Sequence, residues 1–99
     1  MWLVLDMDDG LLRREPTRKD ALQWWMRLQG ETKVLERHTY GPGAYSYITG
    51  TSPNDNSGTI FIETEEAARR SGGWNPDQPA LYPIEDDPFN MVDRPETEE

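Results

Sequence analysis

The sequence predicts an α+β fold: a small antiparallel sheet with one amphipathic helix and one short helix, followed by an extended acidic, proline-rich C-terminal arm. Three observations predict it. Short apolar runs are separated by turn signals at strand spacing. One stretch has helical spacing with clear start and stop residues. The last quarter of the chain combines prolines with acids and large apolar side chains.

Trp2-Leu3-Val4-Leu5 and Leu11-Leu12-Arg13-Arg14-Glu15 flank Asp8-Asp9-Gly10. Asp-Gly between two such runs is a hairpin signal, because glycine accepts positive φ and aspartate tolerates it. Strands are expected near 2–7 and 11–15. Pro16-Thr17 then opens a helix, with Thr17 as the cap and Asp20 at the third helical position. Ala21, Leu22, Trp25 and Leu28 share one face, Trp24 and Met26 flank it, and Gly30 stops the helix. Thr32 to Tyr40 and Ala44 to Thr49 read as a hairpin around Gly41-Pro42-Gly43. Ser52 to Gly58 has no apolar anchor and reads as a loop, and Thr59 to Glu63 has the composition of a strand. Thr64 caps a short helix over 65–70, with acids in its first turn and bases in its last, as the helix dipole prefers. The expected order is β-β-α-β-β-β-α, with both helices on one sheet face.

Ninety-nine residues fit one domain, read as a compact body over 1–74 and an arm over 75–99 whose last residues fray. Apolar residues make up only 34% of the chain, but ten are aromatic and four of these are Trp. The core must therefore come from few, large side chains. The absence of cysteine excludes disulfides, thiolate catalysis and cysteine-ligated zinc. The apolar run from Trp2 is too short for a membrane span and lacks the basic start of a signal peptide, so a cytoplasmic location is expected. Eight Arg against two Lys, with an acidic charge balance, resemble the composition of halophile proteins. Carboxylate-rich surfaces hold water and keep a protein soluble in concentrated salt.

That reading distributes acid evenly, and here it is concentrated. Glu85 to Glu99 carry seven carboxylates against Arg94 alone, so this segment holds six of the nine net negative charges. Prolines at 76, 79, 83, 88 and 95 forbid a helix there. Leu81, Tyr82, Ile84, Phe89 and Met91 are the wrong residues for an inert solvated tail. Two uses are open: the arm folds back to seal the core, or it anchors a partner, with Asp86 and Asp87 steering a basic surface.

Asp6-Met7-Asp8-Asp9-Gly10, directly after an apolar strand, resembles the first motif of haloacid dehalogenase-type phosphatases. The resemblance implies a nucleophile and an acid/base at Asp6 and Asp8 with Mg²⁺ between them. It covers about seven residues and departs at Asp9, which precedes the glycine, and at Leu11, where the family has threonine. A hairpin turn with solvated aspartates accounts for the same string. A calcium loop would need a glutamate six residues after Gly10, where Pro16 stands. His38 is the single histidine, with Glu36 its same-face strand neighbour. Tyr45 and Tyr47 share a strand face, but the acidic charge balance argues against direct nucleic-acid binding. Arg13, Arg14, Arg18 and Lys19 form the one basic cluster.

Trp24 and Trp25 lie about 100° apart on their helix. Either one is partly exposed and marks a contact surface, or a sheet or the returning arm covers it; the binding reading takes the first. The expected function is a non-catalytic protein-interaction or assembly protein that needs no cofactor or metal. Its partner-binding residues are Trp24, Trp25, Leu81, Tyr82, Ile84, Asp86, Asp87, Phe89 and Met91. The partner is a protein, with a basic surface, and not nucleic acid or membrane. The alternative is a nucleic-acid mimic that inhibits a DNA-binding protein; third is a Mg²⁺-dependent phosphohydrolase using Asp6 and Asp8.

Overall fold

Seven elements follow the expected order: β1 (Trp2–Asp6), β2 (Gly10–Glu15), α1 (Arg18–Gln29), β3 (Lys33–Gly41), β4 (Ala44–Ser52), β5 (Asp55–Thr64) and α2 (Glu65–Ser71). The structure, a computed structural model, describes residues 1–71 and 78–83. The fold is α+β. All five strands join one antiparallel sheet in the order β2-β1-β5-β4-β3.

The local signals act as the sequence implies. Thr17 caps α1, its side chain accepting from the Asp20 N–H at 3.0 Å. Gly30 closes the helix, donating to the Arg27 and Met26 carbonyls. Thr64 Oγ1 accepts from the Ala67 N–H at 3.1 Å and starts α2.

Three expectations are corrected. Residues 52–58 are not a loop: β4 continues to Ser52 and β5 begins at Asp55. A strand pair needs backbone partners, not apolar side chains, and Gly50 lets the two backbones meet closely. A Cβ there would overlap the Asp55 carbonyl oxygen.

The helices also lie on opposite sheet faces. α1 packs with Val4, Leu12, Tyr47, Ile60 and Ile62, whereas Ala68 of α2 packs with Leu3 and Leu11. Side chains alternate along a strand, so Leu3 and Val4 must serve different faces. Both faces of β1 are apolar, and each demands its own cover.

Finally, Trp24 and Trp25 are both buried, at 4% and 6% exposure. A sheet five strands wide accommodates the 100° between them. Trp25 turns toward β4, donating through Nε1 to Thr49 Oγ1 at 3.0 Å. Trp24 turns toward β2, under Tyr82 at 5.4 Å between ring centroids and beside the Arg13 guanidinium at 5.3 Å. A β-bulge makes room: Val4 pairs with Arg13 and Leu5 with Leu11, which leaves Leu12 as the extra residue and sets it, with Arg13, on the α1 face.

The first part of the arm folds back. The Leu81 and Tyr82 N–H groups donate to the Leu11 and Leu12 carbonyls at 3.2 and 2.8 Å, along the outer edge of β2. Gln78 Nε2 donates to the Asp9 carbonyl at 3.1 Å. This strap satisfies backbone groups that an edge strand would otherwise leave open. No helix among the described residues is long and apolar enough to cross a membrane.

Candidate functional site: the cleft on the α2 face

The α2 helix is only seven residues long, and its Ala68 packs with Leu3 and Leu11 at one side of its sheet face. The rest of that face is the floor of a cleft of about 760 Å³. Leu5, Phe61, Glu63 and Ala44 line its floor, with Ala67 and Arg70 of α2 as one wall. Asp6, Met7 and Gly10 of the first turn stand at one end, and Tyr40, Gly41 and Pro42 of the β3–β4 turn at the other. Met7 and Tyr40 are largely exposed. The Tyr40 ring packs on Phe61 at 6.2 Å, and its hydroxyl accepts from Ser46 Oγ at 3.1 Å.

Glu63 is the group with unusual chemistry here. Leu3 and Ala44 flank it in the sheet, and it is 7% exposed. Its Oε1 is fully buried with no hydrogen-bond partner among the described residues. Burial pushes its pKa up, with no opposing pull from a cation. Arg70, the cation lining the cleft, is engaged elsewhere: it donates to the Pro42 carbonyl at 3.0 Å and pairs with Glu66 at 3.6 Å. That bond ties the end of α2 to the β3–β4 turn. A desolvated carboxylate without a partner is costly, and such groups concentrate at functional sites.

Chemically, the cleft combines an apolar trough with one buried carboxyl group whose pKa burial raises. Ser71 Oγ, at the end of α2, donates to the Ala68 carbonyl at 3.0 Å. The arrangement suits binding.

The residues singled out from the sequence scatter around this cleft. Asp6 Oδ2 accepts from the Asp8 and Asp9 N–H groups at 3.2 and 3.1 Å, so its carboxylate organises the turn. Among the described residues, no three of His, Asp and Glu cluster closely enough to hold a metal ion. His38 is exposed and meets Glu36 at 3.1 Å. The basic cluster is split: Arg13 pairs with Glu15 in the interior, Arg14 faces Glu65 at 3.8 Å, and Arg18 lies over the Tyr45 ring at 4.3 Å. Trp24 and Trp25 belong to the core and present no aromatic surface. Leu81 and Tyr82 form the strap while keeping 53% and 40% exposure. Ile84, Asp86, Asp87, Phe89 and Met91 lie outside the described residues.

Sequence reasoning missed Glu63 and the cleft. Alternation along Ile60-Phe61-Ile62-Glu63 places Phe61 and Glu63 opposite the α1 core, and that signal is readable. That α2 then covers this face, and so buries the carboxylate, follows only from its place in the sheet.

No protein-family model matches the chain, and no curated protein or solved structure is detectably similar to it.

Proposed function

We propose that this chain is a non-catalytic interaction protein that holds an extended segment of a basic protein partner in the cleft on the α2 face. The observation that carries the reading is the pairing of an apolar trough with a buried carboxylate that no described side chain satisfies. A trough of this kind accepts side chains from a partner, and the polar group fixes their orientation. The net charge of −9 favours a basic partner and raises its encounter rate at low salt. The remainder of the arm, 84–99, carries most of that charge and would steer the partner toward the body.

The test is selection of a random peptide library on the full chain, with an Ala44→Trp chain as counter-selection. Ala44 lines the cleft, and a Trp there fills it. Basic peptides enriched on the native chain and lost on the filled one are the expected result. Equal enrichment on both would place the binding elsewhere and overturn the reading.

A further inference from the structure

Glu63 is a buried carboxyl group with no cation against it among the described residues. Its neighbours across the sheet are Leu3 and Ala44, its neighbour two residues back is Phe61, and Ala67 of α2 walls the cleft beside it. Among the described residues, Arg70 is committed to Pro42 and Glu66, and Arg14 to Glu65. Of its two oxygens, Oε1 is sealed from solvent, so the carboxylate offers its open side through the other. One accessible oxygen is a single-point acceptor. A guanidinium makes its strong contacts two at a time across a planar fork, and that geometry requires both carboxylate oxygens. An ammonium is a compact charge that one oxygen can meet. Leu5, Phe61 and Ala44 line the cleft together with Glu63 and give it an apolar surface. A lysine stem is four methylenes that pack on such a surface while the head stays charged.

We infer that the cleft receives a lysine side chain of the protein partner, its methylenes against Phe61 and Leu5 and its ammonium on Glu63. This rests on the cleft being the binding site proposed above. The contact neutralises the buried carboxylate, which on binding gives up any proton it holds to solvent. Lysine is thereby selected over arginine, and over apolar side chains of the same length, by the one group at the floor that needs a positive charge.

The probes are n-hexylammonium, n-hexylguanidinium and n-hexanol, titrated near neutral pH into the full chain and followed by the NMR signals of Ala44, Phe61 and Ala67. The ammonium is expected to shift all three saturably and to bind about tenfold more tightly than hexanol, in keeping with a hydrogen bond to a charged group. Glu63→Gln is expected to bring the ammonium down to the level of hexanol. Equal binding of ammonium and hexanol to the native chain would overturn the lysine assignment and leave the cleft as a binding site. Tighter binding of the guanidinium would overturn the choice of lysine over arginine. If no probe moves the three signals, the cleft reading itself fails. The native-chain comparison decides the matter even if the variant does not fold.

Discussion

Replacing Tyr82 by Ala removes the aromatic cover from Trp24 while leaving the strap's backbone bonds to Leu11 and Leu12 available. Tyr82 is 40% exposed, so somewhat more than half of its surface is covered. Taking about 200 Å² for a tyrosine, roughly 120 Å² returns to water. At about 25 cal/mol per Å² that is roughly 3 kcal/mol as an upper bound. Residual burial in the unfolded chain lowers it to roughly 2 kcal/mol. Loss of the tilted ring pair adds about 0.5–1 kcal/mol, for a total near 2–3 kcal/mol. With a urea m-value of about 1.5 kcal/mol/M, the midpoint should fall by about 1.5–2 M. Urea unfolding followed by far-UV circular dichroism measures this, and acrylamide quenching should report a more accessible tryptophan. A Trp24→Phe chain assigns the quenching change. An unchanged midpoint with unchanged quenching would show that the strap does not seal Trp24, and the account of how both tryptophans are buried would fall.

Glu63→Gln should stabilise the chain as pH rises. The folded state raises this group's pKa by burial, so the native chain loses stability as pH climbs from the ordinary glutamate range through the folded value. Urea midpoints of the two chains should agree at about pH 3.5 and diverge toward about pH 7, with Gln the more stable; parallel curves would contradict the burial account. Thr49→Val should cost about 1–3 kcal/mol, because it strands Trp25 Nε1 and removes the donor that reaches Glu31 Oε1 at 2.5 Å. Thermal unfolding checks it, and Trp25→Phe in the same background should recover part of the loss. Gly43→Ala should cost about 1–2 kcal/mol for its left-handed backbone, φ +75°. Its Cβ would also sit 2.7 Å from Thr64 Oγ1, so amide exchange in α2 should speed up first. Unchanged exchange there would separate the β3–β4 turn from the cap of α2.

Local chemistry carried most of the fold. The cap at Thr17, the stop at Gly30 and the Asp-Gly turn each act within a few residues, where side chain and backbone meet whatever the rest of the chain does. The strand over 55–58 was illegible because its pairing with β4 rests on backbone bonds that leave no apolar pattern. The exposure of Trp24 and Trp25 was misjudged for a different reason. Helix geometry gives the angle between two side chains, but the width of the opposing sheet and the strap decide whether both are covered.

The sequence by itself determined the elements, their order and the concentration of acid at the C-terminal end, because propensity, capping and charge are properties of neighbouring residues. Only the tertiary structure decided which sheet face each helix covers, and with it the site. Leu3 and Val4 are equally apolar, and nothing local assigns one to α1 and the other to α2. Once α2 settles over Leu3 and Leu11, its brevity opens the cleft, and the same packing strips water from Glu63. Burial is a sum over elements distant in sequence, so a carboxylate's environment is decided only when the layers close.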